Sequence, residues 1–412
     1  MIRKLRAGTD PVLVCSAGDF YGSGGVFNEP KAHFIAKAMS ALGYDAVAIG
    51  DEELGFGLDK IIADVRADNL PVTCANITPR GDRTPVAPDT REGHEGLKAA
   101  RRLGTVFPPY LVVTRGGTRF GFVGLLSPRT RVKAVGKASK TVNAISWAIA
   151  DPVEWAEKVI PEVRKRADVV IVLAHMDVPL ARKIARTVPG IDAMVIGHQL
   201  RSEPFAKPVH VGGTLLLKAT SRGQNIGILS FDTDGRGIEN PKNRIDRLDA
   251  SYPDDPAMAK LVAEFARENR KQQKILYAKQ QLHASKNSAD DHTYVGLGAC
   301  QSCHLAAFKI YKKTDHARAY RTLASQFSQR DVNCIGCHVT GYHQKGGFGL
   351  LRMRGSQTDL VDVQCEACHG PGANHSRDGR YIQAARQSCV RCHTPDEDPD
   401  FDFDRDWQKI KH

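Results

Sequence analysis

Eight of the ten cysteines in this 412-residue chain fall between residues 300 and 392, as four copies of one pattern: CQSCH (300–304), CIGCH (334–338), CEACH (365–369) and CVRCH (389–393). With 10 cysteines and 15 histidines in the chain, about 0.01 copies of CxxCH are expected by chance. Covalent haem attachment uses all three fixed residues, because the two sulfurs form thioethers with the porphyrin vinyl groups and the adjacent histidine binds iron from one side. A zinc ribbon explains paired cysteines but gives no reason for a histidine after each pair. A thioredoxin-like redox motif occurs once, in a βαβ setting. The pattern therefore favours four c-type haems, attached at Cys300 and Cys303, Cys334 and Cys337, Cys365 and Cys368, and Cys389 and Cys392. Their proximal iron ligands are then His304, His338, His369 and His393.

The iron in each haem has an opposite face. The remaining histidines of the segment are His292, His316, His343, His375 and His412. Three lie in suggestive contexts, TDHARAY, GPGANH and the terminal KIKH, and are expected as distal ligands: His316, His375 and His412. His343 follows His338 too closely to reach its own iron readily, and Met353 is a further sulfur candidate. Residues 294–412 allow roughly 30 residues per haem, too few to build a conventional apolar core, so the haem faces must supply one. Haems packed so densely lie close together, as electron transfer requires.

YVGLGACQSCH, DHARAY, CIGCHVTGY, VQCEACHGPGANH and CVRCHTPDEDPDF resemble, in order, the tetrahaem cytochrome c-554 family. The resemblance implies a mostly helical, haem-packed domain with two histidines on each of three irons. It implies an open axial position on the second haem, that of Cys334, Cys337 and His338.

A second set of chemistry-bearing residues stands at the ends of apolar runs in the first 250 residues. PVLVCSA (11–17), DAVAIG (45–50), LPVTCAN (70–76), ADVVIVLAH (167–175) and IDAMVIGH (191–198) read as strands, with amphipathic helical patterns at 31–43 and 153–167 between some of them. This alternation predicts an α/β domain. Asp19, Asp51, His175 and His198 follow or end the strands, where open α/β sheets place their ligands. Two carboxylates and two imidazoles suit one divalent ion, zinc, manganese or iron. A strand-end aspartate can equally cap the next helix, and a strand-end histidine can simply be hydrogen bonded.

AGDFYGSG, ALGYDAVAIGDEELGFG, LPVTCANI, VIVLAHMD and IDAMVIGHQL resemble the calcineurin-like metallophosphoesterases, in their periplasmic nucleotidase branch. That resemblance implies a four-layer α/β/β/α sandwich with two metals bridged by the aspartate at Asp19. Asp51, where the family has asparagine, would complete the second metal with His175 and His198. Three departures weaken the implied hydrolysis. The histidine of the family's GNHE motif is Glu52 here, expected as an acceptor-only carboxylate at neutral pH that repels phosphate. Leu200 replaces a ligand to the first metal, and the first strand's Asp-x-His is missing. Because IRKLRAGTDPVLV looks like the helix after that strand, upstream residues are expected, and with them a signal peptide that MIRKLRAGTDPVLVC does not supply.

The expected organisation is a metallophosphoesterase-like sandwich (1–250), a charged helical linker (251–293) and a tetrahaem domain (294–412). The net charge of +12 comes from scattered Lys and Arg, which argues against a nucleic-acid partner. No apolar run reaches the roughly 18–20 residues needed to span a bilayer. The sequence points to an exported electron carrier, periplasmic or extracellular, with redox proteins as partners. A metal-dependent hydrolase, a catalyst at an open haem and a partner-docking N-terminal module are the alternatives.

Overall fold

A computed structural model of the chain describes every residue except 22–27, 81–94, 130–146, 199–206, 220–222, 224, 236, 250, 285–293, 326–331, 343, 345, 349–359, 380–385, 395–397 and 399. Gln199, Leu200, His292, His343 and Met353 lie outside the described residues. The chain divides into two compact units, Met1–Phe265 and Ala266–His412.

The first unit opens with α1 (Ile2–Arg6), β1 (Cys15–Ser16), α2 (Asn28–Ala41), β2 (Ala46–Ala48), α3 (Asp51–Gly55), α4 (Leu58–Asp68), β3 (Val72–Thr73) and β4 (Ile77–Pro79). Next come α5 (Glu95–Leu103), β5 (Leu111–Arg115), β6 (Thr118–Leu126), β7 (Trp147–Ile149), α6 (Pro152–Arg164), β8 (Val169–His175) and α7 (Val178–Thr187). It closes with β9 (Ala193–Gly197), β10 (Val209–Val211), β11 (Thr214–Leu217) and the hairpin of β12 (Asn225–Asp232) and β13 (Glu239–Arg247). One sheet has the order β1-β2-β3, all parallel. The larger sheet runs β10-β11-β9-β8-β6-β5, parallel from β11 to β6 with antiparallel strands at both edges.

The layers follow from the two-residue period of a strand. In β8, Val169, Ile171 and Leu173 face a core shared with Ala46 and Ala48 of β2, so the two sheets pack face to face. Val170, Val172 and Ala174 face the opposite way, onto Trp155, Val159 and Ile160 of α6 and Ile184 of α7. Val47 and Ile49 turn to Ala32, Ala36 and Met39 of α2 and Ile61 and Val65 of α4. The result is the expected helix, sheet, sheet, helix order. Strands buried on both faces must be apolar throughout, which is why VVIVLAH is continuous rather than alternating.

Local chemistry sets the helix starts. Asp151 caps α6 by accepting from Val153 N at 2.7 Å, and Asp177 caps α7 by accepting from Leu180 N at 2.9 Å; each ties down an otherwise orphaned donor. The strands expected at 11–17, 45–50 and 70–76 pair over only two or three residues each. For the first, the chain swings away at Gly18, whose φ of +96° no strand residue adopts. After the second, Gly50 leads directly into α3.

The charged connector forms α8 (Pro256–Ala284), and the division between units falls inside it. Its opening turns are not the free bridge that composition suggests. Leu261 is buried, the Phe265 ring lies 5.4 Å from Phe34, and Asp255 pairs with Arg3 at 2.5 Å.

The second unit is built from short helices, with one isolated bridge between Val339 and Val361. Among the described residues its buried apolar cluster comprises Leu323, Ile335, Val339, Phe348 and Leu360.

Candidate functional site

In the first unit, Asp19, Asp51, His175 and His198 converge, each offering a ligand atom within 4.8 Å of the others. That span suits donors around one cation at metal–ligand distances of ~2.0–2.2 Å. Asp19 leaves β1 with φ +57° and His198 leaves β9 with φ +64°. Left-handed conformations at non-glycine residues are disfavoured by roughly 1–2 kcal/mol each. Such strain is found where the surrounding structure holds a side chain on its target. Glycines allow the close approach: a Cβ on Gly50 would sit 2.2 Å from Asp19 Oδ1, and one on Gly18 would sit 2.9 Å from His175 Nδ1.

His175 Nδ1 contacts the Ala17 carbonyl at 2.8 Å, which turns Nε2 toward Asp51 Oδ1 (3.0 Å), His198 Nδ1 (3.0 Å) and Asp19 Oδ2 (3.3 Å). Burial by itself would lower the His175 imidazole, but hydrogen bonds to Asp19 and Asp51 carry it up to about 10. Burial likewise opposes ionisation of Asp51, yet hydrogen bonds with His175 and His198 hold its carboxyl well below the usual range. The donor set calls for positive charge at its centre. A divalent ion fits that demand and would take over as the dominant local charge.

Two further acids complete the surroundings of the cluster. Burial, then the charge of Asp19, pushes the Glu52 carboxyl up to about 8. A cation held in the cluster would offset the Asp19 contribution and draw Glu52 back toward the carboxylate expected from the sequence. Glu53 is fully buried and accepts backbone N–H groups from Asp19 (3.0 Å), Tyr21 (2.8 Å) and Gly50 (2.8 Å). It ties the end of β1 to the start of α3 and so positions both aspartates. Sequence reasoning on ligand types missed it.

In the second unit, short helical turns carry the CxxCH motifs. His304 N donates to Cys300 O and His393 N to Cys389 O, both at 3.0 Å, and residues 365–369 are themselves a helix. Positions i, i+3 and i+4 share a helix face, so both sulfurs and the histidine point the same way. None of the eight cysteines is paired in a disulfide.

The histidines meet in pairs. The His304 ring lies 5.9 Å from that of His375, His393 lies 5.9 Å from His316, and His369 lies 5.9 Å from His412. A metal bonded to both rings at ~2 Å fills most of that gap, and the nitrogen-to-centre offsets, about 1 Å each, account for the rest. Each pair joins one expected proximal residue to one expected distal residue. Burial lowers the His316 imidazole, favouring the neutral ring that binds iron. His338 differs, with Nδ1 2.7 Å from the Ala319 carbonyl, and no second imidazole stands opposite it among the described residues. The residues present fit haem at these positions.

Glu366 and Gln364 hold this arrangement. Glu366, 3% exposed, accepts from Val295 N (2.9 Å), Gly296 N (2.8 Å) and Gly372 N (2.7 Å). Gln364 accepts from Leu297 N at 2.8 Å. These bonds fasten the helix of the third motif to the segment leading into the first.

The face-to-face sheets, with a carboxylate–imidazole cluster at their strand ends, define the first unit as a calcineurin-like phosphoesterase fold of the 5'-nucleotidase type. The 5'-nucleotidase precursor of Thermus thermophilus superposes with TM-score 0.52 at 24% identity, covering 65% of this chain and 51% of that one. Bovine (Bos taurus) 5'-nucleotidase is 25% identical over 278 residues, 62% of this chain and 44% of the bovine protein. Residues 299–370 match the family described as cytochrome c554 and c-prime. Cytochrome c-554 of Nitrosomonas europaea is 31% identical over 143 residues, 30% of this chain and 59% of that protein. The chain thus spans about half the length of these relatives. The family match takes in the first three CxxCH motifs, and the fourth lies beyond it.

Proposed function

We propose that this protein is an exported multihaem c-type cytochrome that carries electrons through four covalently bound haems. In this reading its 5'-nucleotidase-like unit holds one divalent cation and no longer hydrolyses phosphoesters. The observation that carries it is the set of three proximal–distal histidine pairs at one common spacing of 5.9 Å.

Haem bound at the four motifs supplies reversible one-electron chemistry. The chain's own part is to anchor, ligate and order the sites. The Cys300 side chain lies beside that of Cys365, and the Cys392 side chain beside that of Cys337. Ser388 Oγ donates to the Cys368 carbonyl at 3.0 Å, joining the third and fourth motifs. These contacts support a conduction order of first, third, fourth and second site. Thioether attachment of haem takes place outside the bacterial cytoplasm, which supports a periplasmic or extracellular location with redox proteins as partners. No helix among the described residues is long and apolar enough to cross a membrane.

The loss of hydrolysis rests on Glu52, which stands where the phosphoesterase resemblance implies a histidine, and on Leu200 at a position of the first metal. A second reading, a metal-dependent hydrolase, is favoured by the convergence of the four donors in the first unit. Phosphoester turnover by manganese-loaded protein, abolished in His175→Ala, would replace the non-hydrolytic reading of that unit. The test of the main reading is the denatured intact mass of native protein. It should exceed the polypeptide by four haems. A chain with no such increment returns the CxxCH clusters to zinc.

A further inference from the structure

The ring nitrogens of two neighbouring sites meet different partners. His338 faces a backbone carbonyl, Ala319 O, at 2.7 Å. His393 Nδ1 instead meets a carboxylate, Asp398 Oδ2, at 2.6 Å. The chain after the fourth motif folds back to make this contact: Asp398 N donates to Thr394 O at 2.8 Å, and Phe401 N donates to Asp398 O at 3.2 Å. Phe401 then stacks on the His393 ring, 4.5 Å between centres and 18° between planes. Asp398 holds the edge of that imidazole and Phe401 covers its face. The contact is partly withdrawn from water, the two side chains being 31% and 39% exposed.

A carboxylate draws the Nδ1 proton toward itself and makes Nε2 a stronger electron donor, whereas a neutral carbonyl does so weakly. Stronger donation stabilises the ferric over the ferrous state and lowers the reduction potential. We infer that Asp398 is a potential-setting residue: through His393 it holds the fourth haem below the second, so that electrons pass downhill from the fourth site to the second. The adjacent side chains of Cys392 and Cys337 make these two sites neighbours. The inference rests on the electron-carrier reading proposed above.

The test is redox titration of purified holoprotein carrying Asp398→Asn, an exchange that keeps side-chain shape and removes the charge. Outer-sphere partners of this kind change metal-site equilibria by roughly tenfold or more. One of the four midpoint potentials should rise by about 59 mV, the one-electron equivalent of tenfold. The other three should stay, and Asp398→Glu should return the shifted one toward its original value. Four unchanged potentials in a variant whose mass shows four haems would overturn the inference and leave the cytochrome reading intact. Native protein lacking four haem increments would remove both. Should Asp398→Asn fail to retain its haems, the unmutated ferric protein decides. One of its three bis-histidine haems should show a near-infrared charge-transfer band at higher energy than the other two, and three coincident bands would overturn the inference.

Discussion

Replacing Glu366 should damage the haem unit far more than its place between two cysteines suggests. The carboxylate is almost fully buried and accepts three backbone N–H groups, from Val295 and Gly372 on Oε1 and from Gly296 on Oε2. A hydrogen bond to a charged group contributes roughly 1.5–3 kcal/mol, and a buried donor left unmade costs about 1–3 kcal/mol. Because the three share one acceptor group, Glu366→Ala is expected to lower stability by about 4–6 kcal/mol rather than by the full sum. That is a large part of the roughly 5–15 kcal/mol that holds a typical domain. Glu366→Gln keeps the oxygen facing Val295 and Gly372 but points an N–H at the Gly296 donor, so about half the loss, ~2–3 kcal/mol, is expected. Guanidinium unfolding followed by the absorbance of histidine-ligated haem reports on this unit alone. With a slope near ~4 kcal/mol/M, the alanine midpoint should fall by about 1–1.5 M. A midpoint within about 0.3 M of wild type, or equal damage from glutamine and alanine, would show that the carboxylate is not the clamp described.

Three further outcomes are expected. His375→Ala should convert one haem, opposite His304, from low-spin to high-spin with all four still attached; an unchanged ferric electron paramagnetic resonance spectrum would break that pairing. Metal analysis after refolding with manganese or zinc should give one ion per chain, lost in His198→Ala, whereas two ions would mean that the first-metal position survives. In the first unit, bonds from Arg119 hold the Asp168 carboxyl down at about 2. A depressed folded pKa means that its contribution is fully present above the unfolded carboxylate value near 4 and is lost as pH falls toward 2. Acid unfolding of Asp168→Asn should therefore be less steep in that window; superimposable curves after scaling would remove the pair from the acid response.

What could be read from the sequence was whatever is contiguous or strictly periodic. The four haem motifs are contiguous because one helical turn must present two sulfurs and an imidazole together. Strand-end positions such as His175 were visible because a strand buried on both faces is an unbroken apolar run whose end is easy to place. The pairing of His304 with His375, His393 with His316 and His369 with His412 was not visible, since partners up to 77 positions apart meet only through tertiary packing. The surroundings of Glu52 were not legible for the same reason: burial and the nearness of Asp19, not residue type, push its carboxyl up to about 8.

The residues that sequence reasoning missed share one physical design. Glu53 and Glu366 are both buried carboxylates, each accepting three backbone N–H groups, and each sits within two residues of a ligand or attachment position, Asp51 in one unit and Cys365 in the other. In sequence either looks like an ordinary solvated acid. A ligand-bearing loop has many backbone donors and few regular partners for them, and every buried donor must be satisfied. One carboxylate offers several lone pairs in a small volume, so it can take three backbone donors from two stretches of chain where a hydroxyl or amide could take one or two. The sequence trace of such a clamp is an acid near a glycine at a tight approach: a Cβ on Gly50 would sit 2.7 Å from Asp19 N, and one on Gly372 would sit 3.2 Å from Glu366 Oε1. On the proposed reading the clamp supports the cation site of the first unit, holding Asp19 and Asp51 beside His175. Glu53→Gln should then loosen metal binding at the Asp19, Asp51, His175 and His198 cluster without removing any ligand. If manganese affinity is unaltered while the fold is weakened, the clamp serves the sandwich alone.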